Sequence, residues 1–347
     1  MKKHYYFLFT LILCLILSAC DSTSQTSSLS SKGNLSQSNL DSDVDNASTS
    51  ETSKLMNSSS VENKESFDQS LIGKTFMSGD YEYTVQEDGT VYVSGYIGDD
   101  TIIELPENLD DYEVTGVSDH AFEGSSIVSL VVPGQIKNIG YRAFYDCDQL
   151  TDVTFEDGVE SVGEEAFVRS PILQLSMTNS VYKMGRDAFN TSISGEISRE
   201  ENGLIYIGNV VVGFADDFNF FDFDEEKKLQ FAEDTVGIAD YALCVQYNDT
   251  IKASTEIYYI DSVEFPNGLK YIGKGAFLGQ NKIDDYIIPE SVVDIGDYAM
   301  YYEYVNGDIE LFQDIALGID NPKIYGSGNS VAEQYAIANG ITFVTMN

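Results

Sequence analysis

Histidine and basic charge are what this chain of 347 residues has least of. Of its two histidines, only His120 lies beyond the first few residues. A Ser-His-Asp or Cys-His centre would have to be built on His120, and nothing beside it supplies a nucleophile elbow or an oxyanion hole. One histidine and a few scattered cysteines do not make a zinc site either. Lys and Arg number 19 against 57 Asp and Glu, a formal net charge of −38. Nucleic-acid binding runs on cations that neutralise phosphates, so this balance excludes it. It also excludes an electrostatic attachment to anionic lipid. It favours solubility and self-repulsion, and it suits a cation or a basic partner surface. With so many acids, no carboxylate pair stands out as a glycosidase centre. The sequence therefore reads as non-catalytic, with no cofactor and no metal site.

Long apolar runs are also scarce. The longest, Tyr5 to Leu17, is broken by Thr10 and falls short of the roughly 20 residues that span a bilayer. It follows Met1-Lys2-Lys3-His4 and ends in Leu17-Ser18-Ala19-Cys20. A basic start, a short apolar stretch and a small-residue end make a secretory signal, here 1–19. Leu17-Ser18-Ala19-Cys20 resembles the lipobox of bacterial lipoproteins. That resemblance implies cleavage before Cys20 and a diacylglyceryl group on its thiol. The chain would then be exported and held to the outer face of the cell membrane through Cys20 alone, since two acyl chains anchor stably. Cys14 would leave with the signal. Cys147 and Cys244, far apart in sequence, are expected as separate buried thiols acting as small hydrophobes.

Residues 20–74 are rich in Ser, Thr, Asn and Asp, with no aromatic between Cys20 and Phe67. Such a stretch buries too little apolar surface to fold. It reads as a tether with a root-mean-square reach of about 35–42 Å. Asp41-Ser42-Asp43-Val44-Asp45-Asn46 begins like a calcium loop, but Asn46 and Thr52 stand where Gly and Glu are required.

From about Thr75 an internal period organises the chain. A six-residue unit of apolar, small, two variable residues, Ala and a large apolar residue recurs. It reads Val117-Ser118-Asp119-His120-Ala121-Phe122, then Ile139-Gly140-Tyr141-Arg142-Ala143-Phe144. It returns from Val162 to Phe167, Met184 to Phe189, Ile238 to Leu243, Ile272 to Phe277 and Ile295 to Met300. The alanines step by 22, 23, 22, 54, 34 and 23 residues. Between the units lies a second element, as in Ile127-x-x-Leu130-x-Val132-Pro133 and Leu150-x-x-Val153-x-Phe155. Its alternation of apolar and free positions marks a short strand with one buried face.

A coil of one short strand and a return turn cannot bury its apolar face alone, so such coils stack into a solenoid. Phe122, Phe144, Phe167 and Phe189 should then form an aromatic ladder. The unit glycine suits a close backbone approach or a positive φ. Roughly nine coils at the strand spacing of about 4.8 Å give a core about 40–45 Å long. His120, in a variable slot, reads as a solvated surface residue.

The pattern resembles the BspA-like type 5 leucine-rich repeat of bacterial surface proteins. Ile139 to Leu150 fits that repeat closely, with Cys147 in its cysteine slot and Ser125, Ser170 or Gln280 there in other coils. The resemblance implies a leucine-rich-repeat solenoid over 75–347, with short parallel strands and 22–23 residues per coil. Gly79 to Thr115 looks like its opening segment, with Gly89 and Gly95 marking turns. Glu201 to Asn209, inside an insertion at about 190–228, looks like a hairpin. Ser330 to Asn339 looks like a closing helix, with Ser330 as N-cap and Gly340 as stop. Members of the family are associated with adhesion and with binding host or partner proteins. The implied partner is thus an unidentified protein, on a host or on the same cell.

Two surfaces are candidates for that binding. Between the apolar strand positions, Ser129, Val131, Asp152, Thr154, Gln174, Ser176, Ser262, Glu264, Asp285 and Ile287 are expected to point onto one concave strip, polar, mildly acidic and free of basic residues. In the insertion, Phe218, Phe220, Phe221 and Phe223 lie among acids. They suit either a contact patch or a hairpin packed onto the solenoid.

Overall fold

A computed structural model of the chain describes residues 67–189, 197–215, 227–244, 260–280, 282–300, 302–305, 308–311 and 322–346. The signal, Cys20, most of the tether and the four insertion phenylalanines lie outside the described residues. The first described residue, Phe67, covers Gly89 with its ring and joins the edge of the core.

The opening segment is a meander. Strands β1 (Thr75–Ser78), β2 (Tyr81–Val85) and β3 (Val91–Tyr96) pair antiparallel. Gly89 turns at positive φ as expected, and Gly79 does the same between β1 and β2. Gly95 does not turn. It lies within β3 opposite Glu82, where the register shifts, and its missing side chain leaves room for the Glu82 Cβ. β4 (Ile102–Glu104), β5 (Asn108–Leu109) and β6 (Tyr112–Val117) follow, and β6 joins β3 in parallel.

The repeats then contribute two strands per coil: β7 (Ser129–Val132) with β8 (Asn138–Ile139), β9 (Asp152–Phe155) with β10 (Ser161–Val162), and β11 (Gln174–Ser176) with β12 (Lys183–Met184). The longer strands form one parallel sheet in the order β11-β9-β7-β4, and the short ones extend another through β6-β8-β10-β12. Between the two sheets the predicted ladder is present. Phe122, Phe144, Phe167 and Phe189 stack at centroid separations of 4.9, 5.1 and 4.9 Å with planes 16°, 7° and 4° apart. Tyr96 adds a rung below Phe122 at 5.8 Å. Each stacked pair adds about 0.5–1.5 kcal/mol beyond the area it buries.

The six-residue unit is a turn that bonds its coil in both directions. The Gly163 N–H donates back to Ile139 O at 2.8 Å, and the Phe167 N–H donates forward to Ala188 O at 2.8 Å. Alanine occupies the fifth position because the turns touch there; Ala143, Ala166, Ala276 and Ala299 are fully buried. The unit glycines serve close approach and do not adopt positive φ. A Cβ on Gly163 would lie 2.6 Å from the Gly140 carbonyl carbon. Positive φ falls instead on the fourth position, at His120, Arg142, Glu165, Asp187, Tyr241, Gly275 and Tyr298. That slot, variable in side chain, is fixed in backbone.

At three coils the slot three residues after the unit's last apolar residue closes another bond. Cys147 Sγ donates to Phe122 O at 3.1 Å, Ser170 Oγ to Phe144 O at 2.7 Å, and Gln280 Nε2 to Leu243 O at 2.9 Å. Cys147 and Cys244 are separate free thiols. Cys147 is buried as expected, whereas Cys244 is only half-buried because it follows Leu243 directly and does not fill that slot.

The insertion is a three-stranded meander and not a simple hairpin. β13 (Ser198–Glu201), β14 (Leu204–Ile207) and β15 (Val210–Phe214) pair antiparallel. Asn202 and Gly203, both at positive φ, make the tight first turn. A third strand forms because Val210 and Val211, both buried, supply a rung for the next coil. β16 (Lys228–Gln230) and β17 (Gly237–Ile238) resume the solenoid, with β17 parallel to β15 and the Asp240 N–H donating back to Met184 O at 3.0 Å. β18 (Ser262–Glu264), β19 (Tyr271–Ile272), β20 (Asp285–Ile287) and β21 (Asp294–Ile295) continue both stacks, and β22 (Tyr302–Val305) with β23 (Asp308–Leu311) forms a separate antiparallel pair.

The array ends with β24 (Lys323–Gly326), helix α1 (Val331–Ala338) and β25 (Thr342–Thr345). Ser330 caps the helix by accepting from the Glu333 N–H, and Glu333 returns a bond to the Asn329 N–H. Gly340 stops it at positive φ. The helix covers the last coil through buried Ala332, Tyr335 and Ala336, and the Tyr335 hydroxyl accepts from the Met300 N–H at 3.1 Å. β25 then adds one more parallel strand to β24. Among the described residues no helix is long and apolar enough to cross a membrane.

Candidate binding surface

The expected strip is real as a pattern of alternation. In β7 and β9 the positions of Ser129, Val131, Asp152 and Thr154 are half-exposed while their neighbours are buried. Gln174 and Ser176 in β11 are exposed around a half-buried Leu175. Parallel register lines these side chains into two rows. One runs Ile102, Ser129, Asp152, Gln174, and the other Glu104, Val131, Thr154, Ser176.

It is not one strip, however. The ten residues fall on three sheets: β4, β7, β9 and β11; β16 with β18; and β20 with β24 and β25. The insertion breaks the first from the second. Ser262 and Glu264 lie beside Lys228 and Gln230, while Asp285 and Ile287 lie beside Lys323 and Tyr325. The expectation of a surface without basic residues therefore fails at its far end. Lys228 reaches Glu264 at 2.5 Å, and that hydrogen bond and positive charge hold the Glu264 carboxyl below its ordinary range. The sequence did carry a signal for β4, because Ile103-x-Leu105-Pro106 repeats the spacing of Leu130-x-Val132-Pro133. β16 carries the alternation as Leu229-x-Phe231, but Glu226 stands where the other coils have the leading apolar residue, such as Leu150 or Ile172.

The first sheet is chemically distinct. Its outward acids, Glu104 and Asp152, meet no cationic group among the described residues, and Asp152 is held by the Thr151 hydroxyl at 2.6 Å. The cations of the same coils are engaged elsewhere. Arg142 pairs with Glu165, Arg186 with Glu164, Arg169 with Asp146 at 3.7 Å and Lys183 with Asp294 at 2.6 Å. Ile102 in β4 is 76% exposed, and Leu173, immediately before β11, is 50% exposed, so large apolar side chains meet solvent at two edges of this sheet.

His120 is exposed, bonded to Glu123 and set edge-on against Tyr141 at 5.2 Å. It stands on the turn side of the coil, and neither thiol lies beside it in the bonding pattern.

Stacked parallel coils of this kind define a leucine-rich-repeat solenoid of about nine turns. Residues 101–196 and 252–315 match the family described as BspA type leucine rich repeat region, in six copies, so the repeat array of this chain is of the BspA type. Among solved structures, a leucine-rich repeat protein of T. pallidum is 19% identical, with 65% of this chain and 82% of that chain covered and a TM-score of 0.36. A leucine rich cell surface protein of Faecalibacterium prausnitzii is 13% identical over 79% of this chain and 95% of its own, with a TM-score of 0.28. The pneumococcal vaccine antigen PcpA is 14% identical over 80% and 99%, with a TM-score of 0.30. No curated protein matches the chain.

Proposed function

We propose that this protein is a non-catalytic binding scaffold, displayed at the cell surface, that engages a protein partner through the outward rows of its parallel strands. The observation that carries the reading is the register of β4, β7, β9 and β11. It lines polar, acidic and exposed apolar side chains into two continuous rows on a rigid sheet. Interfaces need such a preformed surface to limit the ordering cost of association. The lipobox at Leu17 to Cys20 supports anchoring through Cys20, with the tether setting the reach. Replacing Asp152, Gln174 and Glu264 together should reduce retention of a captured partner; unchanged retention overturns the role of these rows. Capture from host extract against capture from the organism's own envelope separates adhesion from an envelope-component role. Replacement of Cys20 by Ser should abolish incorporation of labelled fatty acid and release the chain from the cell.

A further inference from the structure

The three outward sheets differ in charge, and that difference narrows both the site and the partner. Lys228 answers Glu264 at 2.5 Å in the second sheet, and Lys323 stands in register with Asp285 in the third. The first sheet has no cation on any outward position, and every Lys or Arg bridged in its coils pairs with an acid outside these rows. Glu104 and Asp152 sit on adjacent rows, with Ile102 exposed in the row of Asp152 and Leu173 exposed just before β11 at the edge of the sheet. A surface that leaves carboxylates unanswered and large aliphatic side chains uncovered is incomplete in two ways. One type of occupant answers both: a segment carrying ammonium or guanidinium groups between apolar side chains. A negatively charged partner would meet like charge on Glu104 and Asp152, within a chain of net charge −38. A purely polar partner would leave Ile102 and Leu173 in water.

Resting on the binding reading above, we propose that the sheet of β4, β7, β9 and β11 docks a basic, apolar-studded protein segment, and that the two later sheets do not. The carboxylates of Glu104 and Asp152 take its cations, and Ile102 and Leu173 take its apolar side chains. Electrostatic attraction across the acidic face speeds encounter, and aliphatic contact slows release.

The test is calorimetric titration of the full chain with three short peptides alternating Lys with Leu, Lys with Ser, and Glu with Leu. The Lys/Leu peptide should bind most tightly. Glu104→Gln with Asp152→Asn should weaken it by about ten-fold or more, and so should Ile102→Ser with Leu173→Ser. Glu87→Gln with Glu233→Gln removes the same charge from exposed sites elsewhere and should change little. Equal weakening by that control pair overturns the proposal, because attraction would then belong to the whole chain. Equal binding of the Lys/Ser peptide overturns the aliphatic half. Tighter binding of the Glu/Leu peptide, lost on the same substitutions, overturns the basic partner yet leaves this sheet as a binding surface. Binding of none of the three overturns the proposal, while the scaffold reading then rests on the capture experiment alone.

Discussion

The rings of Phe144 and Phe167, one coil apart, stack with centroids 5.1 Å apart and planes 7° from parallel. Phe167 also stacks on Phe189 at 4.9 Å and meets the edge of Phe155 at 6.0 Å. It thus fills the centre of the first half of the array. Phe167→Ala should cost about 3–5 kcal/mol, the range for emptying a buried aromatic site. Because each coil is stabilised by its neighbours, the loss should appear as a lower urea midpoint for the whole array. A midpoint that moves no more than for the surface change Glu233→Gln would refute the ladder's role.

Cys147 is a structural donor that serine can replace. Its thiol bonds Phe122 O at 3.1 Å, and Ser170 does the same to Phe144 O in the next coil at 2.7 Å. Cys147→Ser should change stability by less than about 1 kcal/mol. Cys147→Val removes that bond and leaves the Phe122 carbonyl with the Ser125 N–H alone, at 3.0 Å, so it should cost more than the serine change, about 0.5–1.5 kcal/mol. Equal losses for the two variants, read by urea unfolding, would refute this.

The period, the strand faces, the aromatic ladder and the helix caps are legible in the sequence because each repeats or follows a strong local rule. Ala166 and Phe167 recur at a fixed step, Ser330 is a good N-cap residue and Gly340 a good stop. What was not legible depends on backbone that composition does not encode. Tyr241 and Glu165 share no chemistry, yet both sit at positive φ. β16 lacks the leading apolar residue of the other strand elements, with Glu226 in its place, so the strip with Lys228 left out reads as free of cations. Both turns of the β13 to β15 meander, Asn202-Gly203 and Gly208-Asn209, carry turn chemistry; the third strand is hard to see because Val210-Val211-Val212-Gly213-Phe214 shows no alternation of apolar and polar positions.

Alkaline pH should destabilise the fold. Burial pushes the Cys244 thiol up to about 11 from 9.0 and the Tyr81 phenol up to about 12 from 10.0; burial raises Tyr271 as well. The unfolded chain therefore gives up these protons at lower pH than the folded one. Their contribution is intact below about pH 9 and is lost as pH rises from there through the folded values. Urea midpoints measured at intervals from about pH 8 to 11 should fall steadily, and a flat profile would refute the assignment.

Asp187 holds φ at 56° in the fourth slot of its unit, and its side chain is exposed. A β-branched residue there adds steric conflict to an already disfavoured backbone. Asp187→Val should cost about 1–2 kcal/mol, whereas Asp187→Gly should be neutral or mildly stabilising. If both variants unfold at the same denaturant concentration, the slot is not conformationally fixed.

Two glycines separate close approach from backbone conformation. Gly163 has no positive φ, but a Cβ there would lie 2.6 Å from the Gly140 carbonyl carbon and 2.7 Å from its oxygen. Those are backbone atoms of the preceding coil, so they move only if the coils part. Gly124 is the reverse case, with φ at 70° and no atom within 4 Å of a Cβ. Gly124→Ala should therefore cost only its backbone strain, about 1 kcal/mol. Asparagine, which tolerates that conformation, should recover part of the loss. Gly163→Ala should cost about 1–3 kcal/mol or more from overpacking, and Gly163→Asn should be worse still, because a larger side chain deepens a steric conflict. Thermal unfolding of the four variants distinguishes the cases. The decisive result is the sign of the alanine-to-asparagine change, which should be opposite at the two positions; the same sign at both would mean that the coils are not held at the spacing Gly163 requires.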